Sequence, residues 1–124
     1  MSKYFIDTSD IERKEAAPGL VIRTFYGERL MISLVESPPH ASPPPHTHPD
    51  HEQAGMVLSG EYEMTIGDER RLLKPGDAYV IPPGVEHALH GLDGPAIAID
   101  VFSPPREEYK IENMYTEYIK RDQS

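Results

Sequence analysis

The sequence predicts an all-β domain built from many short strands. Three observations carry that expectation. Proline and glycine, 13 and nine of the 124 residues, cut the chain into pieces too short for a bundle of helices. The pieces between them are rich in β-branched and aromatic side chains. Several also alternate with a period of two, as Tyr62, Met64 and Ile66 do against Glu61, Glu63 and Thr65, the signature of strands with one dry face and one wet face. Short strands with frequent turns indicate a sandwich or a barrel. A length of 124 residues suits one domain spanning 1–124.

In chain order, residues 9–15 hold one helical turn at most. Strands are expected over 20–26, 29–36, 45–48, 53–59, 61–67, 69–73, 77–81, 86–91 and 95–102. The turns fall where glycine, proline or aspartate permits them: Gly27-Glu28, Ser59-Gly60, Gly67-Asp68, Pro75-Gly76-Asp77, Pro82-Pro83-Gly84 and Leu92-Asp93-Gly94. After Arg106, Tyr109, Met114, Tyr115, Tyr118 and Ile119 recur among charges, which suits a short C-terminal helix and equally a lid or a packed tail. Segments 1–18 and 106–124 are therefore read as peripheral to the strands.

The net charge of −9 and the lack of any basic run oppose a nucleic-acid or anionic-membrane partner. Cysteine is absent, which excludes disulfides, zinc fingers and thiol nucleophiles and suits a reducing compartment. The first 15 residues, MSKYFIDTSDIERKE, lack the apolar stretch of a secretion signal. No apolar run approaches the length of a membrane span. A soluble cytoplasmic protein with a small-molecule partner is expected.

All six histidines lie between residues 40 and 90, four of them within 40–51. The segment SPPHASPPPHTHPDH at 37–51 is too proline-rich for an interior strand and makes a stiff, extended approach. His46 and His48 are two apart, which in extended chain turns both imidazoles to one face. Neutral imidazole is a common metal ligand near pH 7. A further oxygen donor is available from Glu52 or Gln53, just past the turn at Pro49-Asp50-His51. Another nitrogen is available from His87, which follows the Pro82-Pro83-Gly84 turn. Three imidazoles and one oxygen leave open positions for water or substrate, as in a catalytic rather than a structural metal site.

These residues resemble the two motifs of the cupin superfamily. The first has the form G-x5-H-x-H-x(3,4)-E-x6-G. Here His46-Thr47-His48 is followed by four residues, Gln53, six residues and Gly60. The second has the form G-x5-P-x-G-x2-H-x3-N, matched by Gly76, Pro82, Gly84 and His87, with Gly91 in the asparagine position. Fifteen residues separate Gly60 from Gly76, and the resemblance spans about 40–102. It implies a double-stranded β-helix, or jelly-roll barrel, holding one divalent metal ion through His46, His48, Gln53 and His87. Nickel, zinc, manganese, iron and copper all suit such donors. The chain departs from the motifs at His40, in place of the first glycine, at Gly91, and at Gln53, in place of glutamate. Strand parity and the six-residue spacing to Gly60 select Gln53 over Glu52. A neutral carbonyl leaves the site its full ionic charge and makes a stronger Lewis acid than a carboxylate does. His40, His51 and His90 are expected to lie outside the ligand set.

The last strand, PAIAIDVF, sets Ile97, Ile99 and Val101 on one face and Ala96, Ala98, Asp100 and Phe102 on the other. A carboxylate on that second face needs a wet cavity or a cationic partner, and Arg106 follows closely. The run Asp100, Phe102-Ser103-Pro104, Arg106-Glu107 resembles small cupins of the pectin-degradation type, which linearise unsaturated uronates. That resemblance implies that Asp100 and Arg106 are catalytic, with Asp100 handling protons. Arg106 would bind the substrate carboxylate and Phe102 would wall the pocket. A metal-dependent dioxygenase and a non-catalytic binding cupin are the alternatives. The resemblance also implies a homodimer, for which Ile22, Phe25 and Met31 are the expected apolar contacts.

Overall fold

The computed structural model describes residues 4–107. Its nine strands are β1 (Lys14–Ala17), β2 (Leu20–Tyr26), β3 (Met31–Ser37), β4 (Glu52–Ser59), β5 (Tyr62–Ile66), β6 (Glu69–Leu73), β7 (Ala78–Ile81), β8 (His87–Gly91) and β9 (Ala96–Ser103). They form a six-stranded sheet in the order β1-β2-β3-β9-β4-β7 and a three-stranded sheet in the order β6-β5-β8. All the pairings are antiparallel. The chain changes sheets between β4 and β5, returns at β7, leaves again at β8 and comes back at β9. This is the double-stranded β-helix. Among the described residues no helix is long and apolar enough to cross a membrane.

Because side chains alternate along a strand, register defines the interior. Val57 on β4 pairs with Ala98 on β9. Gly55 lies between Asp100 on β9 and Tyr79 on β7, and Gln53 lies between Phe102 and Ile81. The inner face thus has three tiers. The Val57 tier joins an apolar core with Tyr62, Met64, Leu73, Ala96 and Ala98. The Gly55 and Gln53 tiers carry polar groups. Phe102 is only 2% exposed, and burying a side chain of that size contributes about 1.5–3 kcal/mol. The polar tiers are therefore built over a hydrophobic floor.

Four features differ from the sequence expectation or fall beyond it. The helical turn at 9–15 is one 3-10 turn at Thr8–Asp10, capped by Asp7, whose side chain accepts a hydrogen bond from the Ser9 amide at 3.0 Å. Lys14–Ala17 is instead strand β1, because pairing with β2 supplies its backbone partners and overrides the helix propensity of Lys-Glu-Ala-Ala. Residues 45–48 make a single bridge, His46 to His87, rather than a strand; the prolines at 43–45 and 49 offer no amide donors. The expected C-terminal helix lies almost wholly outside the described residues.

Two of the three residues expected at a subunit contact are interior. Ile22 is 1% and Met31 0% exposed, on the inner faces of β2 and β3. The exposed large apolar residues of the large sheet are instead Met56, Leu58 and Val80, and Met56 and Val80 lie beside Ala54, Ile99 and Val101.

The motif departures have structural reasons. Gly60 and Gly76 adopt φ of 73° and 92°, where a Cβ is disfavoured. His40, standing where the motif has glycine, takes the same left-handed region at φ 58°, which histidine tolerates better than most residues. Gly91 lies directly against this segment. Its amide donates to the Ala41 carbonyl at 2.6 Å, and a Cβ at 91 would collide with the Ala41 backbone. The two departures therefore meet in space.

Candidate metal centre

The His46–His87 bridge brings the two halves of the motif together. Each residue's amide donates to the other's carbonyl at 3.0 Å, and the Gly84 amide donates to the His48 carbonyl at 2.9 Å. Ligand atoms of His46, His48 and His87 all lie within 4.8 Å of one another. Ring centroids are separated by 4.2 Å for His46–His87, 4.8 Å for His46–His48 and 5.2 Å for His48–His87.

Backbone carbonyls fix two of the tautomers. Nδ1 of His87 lies 3.0 Å from the Val85 carbonyl, and Nδ1 of His46 lies 3.2 Å from the Pro44 carbonyl. A carbonyl only accepts, so both Nδ1 atoms carry the proton and both Nε2 atoms keep a lone pair. Burial pushes His48 down to about 4, helped by the positive charge of Arg106 and by the other imidazoles. Burial also lowers His87, against the opposing effect of the Val85 carbonyl. Both rings are thus neutral and ready to donate at neutral pH.

Among the described residues, four buried side-chain polar atoms have no hydrogen-bond partner, and three of them belong here: Nε2 of His48, Nε2 of His87 and Oε1 of Gln53. Leaving such an atom unpaired costs roughly 1–3 kcal/mol. Nε2 of His87 and the Gln53 carbonyl oxygen are electron-pair donors with no proton donor facing them, and with the neighbouring ring of His48 they fit a divalent cation. Gln53 is 5% exposed, whereas Glu52 points to solvent, as strand parity requires.

Beside these donors lies an acid. Asp100 accepts a hydrogen bond from the Tyr79 hydroxyl at 2.6 Å, and the Gln53 side chain favours its charged form. Burial raises its pKa to about 6, although Tyr79, Gln53 and Arg106 each favour the carboxylate. Tyr62 continues the line, its hydroxyl 3.4 Å from that of Tyr79. Burial and the Asp100 charge hold the Tyr79 phenol well above its usual range, so it stays a donor. Arg106 is 8% exposed, with its guanidinium 5.2 Å from the centre of the Phe102 ring, and Phe102 also meets His48 edge-on at 6.2 Å. One cavity of about 70 Å³ is lined by His46, His87, Gln53, Asp100, Phe102 and Arg106. Its room for several waters suits a small ligand.

The remaining histidines serve elsewhere. His90 pairs with the Thr65 hydroxyl at 2.9 Å, and His40 faces Asp93 at 3.4 Å on the surface. His51 bonds the Pro104 carbonyl at 2.7 Å and so ties the ligand turn to the segment that carries Arg106. The sequence reading passed over Tyr79 and Gly55. The available signal was Asp100 itself: an inward carboxylate demands a donor, and the alternation of Ala-Tyr-Val-Ile in β7 supplies one.

Comparison with known proteins agrees with this architecture. A family model for the cupin domain matches residues 33–102. The chain is 33% identical over 110 residues to the pectin degradation protein KdgF of Dickeya dadantii, covering 88% of this chain and 99% of that protein. It is 44% identical over 74 residues to H2HPP isomerase of Bacillus subtilis, but over only 30% of the latter's length. The solved structure of KdgF from Halomonas sp. superposes with a TM-score of 0.79 at 31% identity, over 86% of this chain and 97% of that one.

Proposed function

This chain belongs to the cupin family, and from that premise we propose that it is a metal-dependent enzyme that linearises unsaturated uronates. The observation that carries the reading is the meeting, in one cavity, of unpartnered donor atoms with an acid shifted toward neutrality. Similarity to pectin degradation protein KdgF over nearly its whole length supports the substrate class.

His46, His48, His87 and Gln53 would hold one divalent ion. When bound, that ion supplies Lewis acidity that polarises substrate oxygens. Arg106, already positioned over Phe102, pairs with the uronate carboxylate, and the Phe102 ring packs against the sugar. Asp100 exchanges the proton: its carboxylate takes one from the anomeric hydroxyl as the bond between the anomeric carbon and the ring oxygen breaks, leaving an aldehyde and an enolate, and returns it to the enolate carbon, leaving a ketone. A carboxyl with a pKa of about 6 is half-protonated near pH 6 and serves in both directions. Tyr79 stays protonated and holds Asp100 in place.

The test is direct. Unsaturated uronate monomers, freshly released by a polysaccharide lyase, are mixed with the metal-loaded protein. Loss of their ultraviolet enol absorbance is followed, with proton NMR of the product. Acceleration over the spontaneous rate, abolished by Asp100→Asn, supports the reading. An unchanged spontaneous rate with fully loaded protein sinks it.

A second copy is the proposed partner. The outer face of the large sheet, with Met56 at 42% and Val80 at 62% exposure, suits the face-to-face packing of two sheets. A cytoplasmic location accords with the absence of cysteine.

A further inference from the structure

Gly55 has an ordinary backbone, with no positive φ to account for its glycine. It stands at the middle of β4, in register with Asp100 on one side and Tyr79 on the other. These two neighbours belong to strands that do not pair with each other, and β4 lies between them. Their side chains nevertheless touch, with the Tyr79 hydroxyl 2.6 Å from Asp100 Oδ1. The contact crosses directly over residue 55. A Cβ there would stand less than 3.0 Å from both Asp100 Oδ1 and the Tyr79 hydroxyl oxygen. Glycine therefore leaves a notch through which one strand reaches another across a third.

The contact has a consequence one tier up. The Gln53 side chain, two residues along β4 from Gly55, favours the Asp100 carboxylate over its neutral acid. A carboxylate accepts only, so the amide nitrogen of Gln53 turns toward Asp100 and its carbonyl oxygen turns away. That oxygen is the buried atom without a partner. An amide rotated by half a turn would present its NH2 group in place of a donor oxygen. We propose that Tyr79 and Gly55 are positioning residues for the metal centre: through the notch Tyr79 fixes Asp100, and Asp100 fixes which end of the Gln53 amide faces the histidines.

This inference rests on the reading of Gln53 as a ligand, and the test separates the two. Co²⁺ alone is the probe. Its dissociation constant and visible ligand-field band are measured for the wild type, Gln53→Ala, Tyr79→Phe and Gly55→Ala, with thermal midpoints of the metal-free proteins. Tyr79→Phe keeps the ring and removes only the donor. Loss of support behind a ligand weakens metal binding by roughly 10–100-fold. Tyr79→Phe should therefore weaken Co²⁺ binding by about 10-fold and move the band in the direction that Gln53→Ala moves it. Gly55→Ala should do the same if it folds. A role confined to packing would lower the midpoint and leave the band where it is. If Gln53→Ala binds Co²⁺ as the wild type does, or the wild type takes up none, the ligand reading fails and carries this inference with it. If Gln53→Ala weakens binding while Tyr79→Phe changes neither affinity nor band, the inference alone is overturned.

Discussion

His48 and Asp100 pull in opposite directions on stability, and both can be tested singly. Burial lowers the His48 pKa from 6.5 to about 4 in the folded chain. Protons therefore favour the unfolded chain. The stability that this group confers is complete above pH 6.5 and is lost as pH falls toward 4. Metal-free His48→Gln should show a shallower loss of thermal midpoint over that window than the wild type; equal slopes would remove His48 from the account. Asp100 is the reverse case, raised from 3.8 to about 6. Its contribution is complete below pH 3.8 and is lost as pH rises through 6. Metal-free Asp100→Asn should thus gain thermal midpoint over the wild type at pH 8 and little at a pH below 3.8. A gain at pH 8 alongside lost turnover is the stability–activity trade-off expected of a strained functional acid. An equal gain at both pH values would contradict it. At this scale the sequence was most readable where chemistry is scarce. Six histidines in 51 positions and a lone inward carboxylate stood out, and the structure gathers three of the histidines and finds Asp100 in their cavity. Tyr79 did not stand out, because a tyrosine in an alternating strand reads as core packing. Gly55 did not, because its reason lies in two other strands.

Elements divide the work. β4 presents a ligand candidate, a notch and a core residue in sequence, at Gln53, Gly55 and Val57, and that order separates the polar tiers from the apolar floor. The segment 37–51 does something different. Its single bridge to β8 leaves it few ladder bonds, and prolines supply the stiffness instead. Replacing Pro43 and Pro45 with alanine should weaken metal binding more than it lowers the thermal midpoint, because the added freedom falls on the ligand arm. Each proline is worth about 0.4–1 kcal/mol of chain entropy, so a combined drop in affinity of roughly 4- to 30-fold is expected by calorimetric titration. Unchanged affinity would mean that the floor alone holds the ligands. Alternation and turn residues located eight strands within a residue or two of their ends, since period two is dictated by burial on one face. The mistakes at 14–17 and 45–48 have different causes: pairing with the neighbouring β2 makes 14–17 a strand against its helix propensity, whereas the prolines around 45–48 leave that segment a single bridge.

As a whole the molecule is a small acidic barrel that, among the described residues, exposes an apolar sheet face at Met56 and Val80. Its net charge of −9 does not discourage an anionic substrate, provided that Arg106 meets it locally at the cavity. Arg106→Lys should raise KM for an uronate several-fold while leaving metal content unchanged, because an ammonium loses the planar fork that matches a carboxylate. An unchanged KM would place the carboxylate elsewhere. Val80→Glu on the outer face should convert a dimer into a monomer by light scattering without loss of metal. A wild type already monomeric at high concentration would remove the second copy from the account. Barrel class and site location were readable from the sequence because motif spacing survives folding. The apolar face was misplaced, to Ile22 and Met31, because inner and outer faces of a sheet buried on both sides look alike in one dimension.

The account stands or falls on the metal. Elemental analysis of protein purified without chelator and without immobilised nickel, as wild type, His48→Ala and Gln53→Ala, measures it most directly. About one divalent ion per folded wild-type chain is predicted. It should be absent from His48→Ala and reduced in Gln53→Ala, with the far-ultraviolet spectrum of strands kept in all three. A wild type that carries no metal and takes none from an equimolar mixture of divalent ions would contradict the account.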